Sequence, residues 1–147
     1  MSITLAEICD GIKDGFSSAA NLRVSQSYDE LTEGIHDFPL MQVYPSRGHA
    51  DAANANDRTT FSGGIRQTEF VIVADIYVSP MADIAEDMAD TVALIDQLWD
   101  LCEDQTSADF FDITGCRSWN WSFDYATLIY AGISYRGVRW TFTIRVM

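Results

Sequence analysis

Basic side chains are scarce in this sequence: nine Lys and Arg stand against 22 Asp and Glu, for a formal net charge of −13 over 147 residues. A surface of that sign repels nucleic acid and anionic membranes at long range, which excludes a basic groove that grips phosphates. Cysteine is as thin. Cys9, Cys102 and Cys116 are odd in number and widely scattered, so they offer neither a disulfide framework nor a CxxC zinc pair, and buried free thiols are the expected state. No apolar run approaches the roughly 18–20 residues needed to cross a bilayer. The opening MSITLAEICDGIKDG lacks the basic start and apolar run of a signal peptide, so a chain made and kept in a reducing cytosol is expected, with no membrane partner.

The chemistry of catalysis is also missing. There are two histidines, His36 and His49, and neither lies at ligand spacing from another His or from Cys. Gly63-Gly64 and Gly132 lack the spacing and the Lys of a phosphate loop. No Ser sits in a nucleophile elbow, and no Cys has a nearby His. No metal, no cofactor and no enzymatic activity are expected.

What the chain does have is apolar residues, 48% of the total, with 12% aromatic. That fits one domain over 1–147, which at this size buries about two-thirds of its unfolded surface. The acids are concentrated. Residues 80–105 hold Asp83, Glu86, Asp87, Asp90, Asp96, Asp100, Glu103 and Asp104 without one base, whereas 113–147 hold Arg117, Arg136, Arg139 and Arg145 against Asp124. One end of the chain is therefore able to complement the other, within a subunit or between subunits.

Thr4 and Glu7 have capping-box spacing, and Leu5, Ile8, Ile12, Phe16 and Ala19 form a stripe, which predicts a helix over 4–20. Leu22-Arg23-Val24 reads as a short strand and Pro39–Pro45 as a strand bracketed by prolines, at a sheet edge or spanning a strand's two ends. A long polar loop is expected at 46–64, where neither period is visible. Residues 65–78 are apolar on both faces apart from Asp75, as in a central strand. Ser79-Pro80 then reads as a helix start, with Met81, Ile84, Ala85, Met88, Val92, Ile95, Trp99 and Cys102 as its buried stripe up to about Asp104. Trp119, Trp121, Phe123 and Tyr125 alternate with polar residues, as do Val138, Trp140, Phe142 and Ile144, and both sets are expected to pack under the helices. Ala131-Gly132 and Arg136-Gly137 mark a bend or bulge between them. The order α-β-β-α-β-β predicts an α+β fold, a mostly antiparallel β-sheet with two helices packed on one face.

With these elements in order, the chain resembles the tail terminator (tail completion, tail-to-head joining) proteins of long-tailed bacteriophages. The resemblance runs through the N-terminal helix, PLMQVYP, the long polar loop, EFVIVADIYVS, the amphipathic helix and the ending YATLIYAGISYRGVRWTFTIRV. It implies a non-enzymatic virion protein of the tail or neck, made in the host bacterial cytoplasm. Such a subunit forms a homohexameric ring on the tail tube, stops tube polymerisation and docks the head–tail connector or neck protein. DNA then passes through the ring without specific binding. The acidic helix is not part of the resemblance; from the charge of this chain, a −13 subunit repeated around a channel is expected to repel DNA.

Under that reading Arg47, His49, Arg58, Phe61, Arg136 and Arg139 are candidates for a subunit or tube interface. Asp83, Glu86, Asp87 and Asp90 are candidates for an acidic face lining the channel. The rival is an acidic DNA mimic whose carboxylates block a basic DNA-binding partner; it predicts a monomer or dimer that competes with DNA.

Overall fold

The computed structural model describes residues 4–19, 22–27, 38–51, 67–80, 84–105, 111, 113 and 116–146. Helix α1 spans Leu5–Phe16. Its start follows from its cap: the Glu7 N–H donates to the Thr4 side chain at 3.2 Å and the Thr4 N–H donates to the Glu7 carboxylate at 2.7 Å, the reciprocal pair that the spacing predicts. The helix stops at Phe16, short of residue 20, but Ala19 beyond it is still buried with Ile8, Ile12 and Phe16.

The sheet has five strands in the order β1-β2-β3-β5-β4: β1 Val24–Ser27, β2 Leu40–Asp51, β3 Gln67–Pro80, β4 Cys116–Tyr130 and β5 Ile133–Val146. The first strand lies slightly later than Leu22-Arg23-Val24, and it pairs in parallel with β2; every other pairing is antiparallel. Helix α2, Ile84–Glu103, joins β3 to β4. Both of those strands run antiparallel to β5, which lies between them, so α2 is a crossover between parallel strands.

Three readings of the sequence need correction. Residues 46–51 are strand rather than loop: β2 passes Pro45 by a bulge between Pro45 and Arg47 and stays in register with β3 as far as Asp51↔Gln67. The rest of the expected loop, 52–64, lies outside the described residues. Ser79 and Pro80 end β3 rather than begin α2, pairing with Arg136 and Tyr135. The irregularity expected at Arg136-Gly137 sits across from it, as a bulge between Tyr77 and Ser79, while β5 is continuous. Ala131-Gly132 is the two-residue turn of the β4–β5 hairpin, with φ of 51° and 79° at its two positions, the positive values that a type I′ turn requires.

One face of the sheet carries both helices. Ile72, Ala74, Ile76 and Val78 of β3 and Val138, Trp140, Phe142 and Ile144 of β5 join Ile8, Ile12 and Phe16 of α1 and Leu94, Leu98 and Cys102 of α2 in one core. Phe16 is central, its ring edge-on to Phe111, Trp140 and Phe142 at 5.4, 5.9 and 5.5 Å between centroids. The face of α2 differs from the expected stripe. Thr91, Leu94, Leu98 and Cys102 are buried, whereas Met88 and Val92 remain 39% and 49% exposed. Leu94, Leu98 and Leu101 widen the apolar arc of the helix, so periodicity alone allowed more than one rotation. The opposite face of the sheet has a smaller cluster, Leu40, Tyr77, Leu128 and Tyr135, near the hairpin end.

Candidate functional site

On the helix-free face, matched registers line up one residue from each strand: Gln26, Gln42, Asp75, Arg139 and Asp124. Asp75 is the acid that interrupts an apolar central strand. At 3% exposure it needs partners, because an unpaired buried carboxylate is costly. It has three hydrogen bonds. Arg139 donates from Nε and Nη2 at 2.8 and 3.2 Å, and Tyr44 donates its hydroxyl at 2.6 Å.

The Asp75 hydrogen bond holds the Arg139 guanidinium well above its usual range. Burial and then the Asp75 bond push the Tyr44 phenol well up, and burial followed by the Asp75 charge pushes Tyr77 to about 12. Beside this centre, Gln26 Oε1 and Gln42 Nε2 are a buried acceptor and donor on paired residues, each without a partner among the described residues. Further along, Arg145 Nε donates to Glu69 at 3.0 Å.

These contacts decide where the C-terminal arginines go. Arg139 and Arg145 pair with acids of β3, their cross-strand neighbours, and not with the acidic helix. Asp90, Asp96, Asp100, Glu103 and Asp104 of the α2 region are exposed. Of these, Glu103 accepts from Trp99 Nε1 at 2.8 Å. Among the described residues, the outer side of α2 is thus negative, while the acids of β3 on the helix-free face are each paired with an arginine.

The residues singled out from the sequence do not converge. Arg47 is exposed on β2 just beyond the bulge, in register with Val71. His49 lies on β2 opposite Glu69, its side chain outside the described set, and Arg58 and Phe61 lie outside altogether. Arg136 is half-buried at the hairpin end, donating from Nη1 to the Tyr125 hydroxyl at 2.8 Å. Arg139 is committed to Asp75. Asp83 falls outside the described residues, Glu86 and Asp87 are placed on α2 by backbone only, and Asp90 is exposed.

A second surface was missed. The aromatic ladder of β4 begins under the helix, where Trp121 and Phe123 lie 5.7 and 5.9 Å from Trp99 between ring centroids. It then runs out from under it: Phe123, Tyr125 and Ile129 are 39%, 42% and 71% exposed. The alternation ends at Tyr125, but the apolar stretch runs on through Ala126, Leu128, Ile129 and Tyr130, and that length was the signal of a strand reaching further than its ladder. All three cysteines are buried free thiols, with burial raising Cys9 to about 11 and Cys102 to about 12.

Among the described residues no group of three or more His, Cys, Asp or Glu is placed to hold a metal ion, and no helix is long and apolar enough to cross a membrane. No protein-family model matches the chain, and no characterised protein matches it at a significant level.

Proposed function

We propose that the chain is a structural assembly subunit of the tail-terminator kind. In this reading it forms a six-membered ring on the end of a phage tail tube, halts tube growth and presents the surface to which the head or neck docks. The observation that carries the proposal is the division of charge. Acids accumulate on the outer side of α2, while Arg139 and Arg145, two of the four arginines of the C-terminal strands, are held by β3. A subunit of that design keeps a fixed negative side when it is repeated around an axis. Turned toward a channel, that side repels DNA phosphates and lets the duplex slide without sticking.

Purified protein is expected to cap isolated tail tubes as a ring visible by electron microscopy. Changing Asp90, Asp96 and Asp100 to Asn is expected to leave ring formation intact and slow DNA passage. A protein that ignores tail tubes at every ratio tested overturns the proposal.

A further inference from the structure

The two edges of the sheet are not equivalent. On one side, β1 is four residues long and covers only the first four of β2; the exposed continuation of β2 is interrupted by Pro45 and a bulge. Proline, bulges and short strands are the usual means by which an edge is closed to strand addition. The other edge, β4, has none of these over Ser118–Tyr130. Among the described strands it pairs with β5 alone, it contains no proline, and Asp124 is its one charged residue in that span. Among the described residues no strand pairs with the outward backbone of residues 120–129, a row of donors and acceptors able to take another strand.

Apolar side chains line the same side of the molecule. Trp99 touches the β4 rings, and Val92 and Met88 precede it by seven and eleven residues, which returns them to nearly the same angular position on α2. Met88 and Val92 therefore continue the Trp99 line along α2 toward the hairpin end, and Phe123, Tyr125 and Ile129 are exposed on β4. With about 150–250 Å² available on a whole aromatic side chain, these five offer on the order of 400 Å² of apolar surface. That is about half of the roughly 800 Å² that one partner contributes to a standard interface, and the polar strand edge supplies the remainder.

We infer that β4 is a self-association edge, on which a second copy of this chain adds its own β4 in antiparallel fashion. The occupant follows from the other edge: since β1 and β2 are closed to strand addition, two copies joined edge to edge use β4 on both sides, which makes the contact isologous. A two-fold axis beside β4 sets both α2 helices on the same face of a ten-stranded sheet. The register that avoids placing Asp124 opposite itself is favoured, and the net charge of −13 on each copy opposes association at low salt. The inference rests on the sheet edge alone and not on the ring: a ring repeated around one axis is closed by head-to-tail contacts, so the two-fold pair is a contact of the chain off the ring.

Sedimentation of the full chain is expected to show a monomer–dimer equilibrium that tightens as NaCl is raised from about 0.05 to about 0.5 M. Ile129→Lys and Tyr125→Lys are each expected to weaken it about tenfold or more. Single cysteines placed at Asn120, Ser122, Asp124 and Thr127 are expected to cross-link to themselves, most at the position nearest the axis. A monomer at all concentrations and salts overturns the inference, as does a dimer indifferent to Ile129→Lys or a cysteine scan silent throughout. Should a substitution unfold the chain, the cysteine scan still decides. A tube-capping ring without these cross-links overturns the β4 contact and leaves the assembly function standing; a cross-linked dimer that ignores tubes does the reverse.

Discussion

At the scale of single residues, Asp75 and its two donors are unequal partners. Asp75 is buried, whereas the Arg139 side chain is 46% exposed and reaches water once its acceptor is gone. Asp75→Asn keeps an acceptor for Tyr44 and removes the buried charge, so a loss of about 1–2 kcal/mol is expected. Arg139→Met strands a buried carboxylate, with an expected cost of about 3–5 kcal/mol. Urea unfolding of the two variants checks this order, and a larger loss for Asp75→Asn contradicts the assignment.

Tyr77 makes a pH prediction. Its pKa is raised from 10.0 to about 12 in the fold by burial and by Asp75. Between those values the folded state binds the proton and the unfolded state releases it, so this stability is complete below pH 10 and is lost as pH rises toward about 12. Unfolding free energy measured across that window is expected to fall with pH, and Tyr77→Phe is expected to flatten the slope. Asp75 was conspicuous in the sequence as the polar exception of its strand; Arg139 and Tyr44 were not identifiable as its partners, because they are 64 and 31 residues away and meet it only through strand register.

At the scale of elements, α1 shows how a local cost is offset by a tertiary contact. Gly11 and Gly15 weaken an isolated helix, each by about 1 kcal/mol relative to Ala. In the fold they let α1 approach Ile113 and Phe111: a Cβ on Gly15 collides with the Phe111 ring, and one on Gly11 with the Ile113 side chain. Gly15→Ala is therefore expected to destabilise by about 1–3 kcal/mol despite its better helix propensity, because the ring is already wedged edge-on against Phe16. A thermal melt at or above that of the parent contradicts this. Helix α1 was legible in its start and its buried stripe, which are local signals, but not in its end, which lies at Phe16 rather than 20. Helix α2 was legible as an element but not in its rotation, since Met88 and Val92 carry the same period as Leu94 and Leu98 and only the sheet beneath chooses between them.

At the scale of the whole molecule, charge dominates the expected behaviour. With a net charge of −13 and exposed acids crowded near α2, self-repulsion opposes the compact state at low ionic strength. Raising NaCl from about 0.05 to about 0.5 M is expected to increase the melting temperature, because it screens the exposed acids and leaves the buried Asp75 pair largely untouched. A melting temperature that falls with salt indicates that ion pairs outweigh repulsion.

The sequence by itself determined the fold class, the central place of β3, the capping box, the buried free thiols and the excess of acid on one helix. Each is a matter of local pattern or of composition, and needs no knowledge of what lies across the sheet. Only the tertiary structure decided that β2 continues through 46–51, that Ser79 and Pro80 remain in β3, that Arg139 and Arg145 pair with β3 rather than with α2, and that β4 outruns the helix that covers its first half. The physical reason is common to all four. Strand register and helix rotation are set by contacts between residues far apart in the chain, and period alone leaves several of them nearly equal in energy until the layers pack.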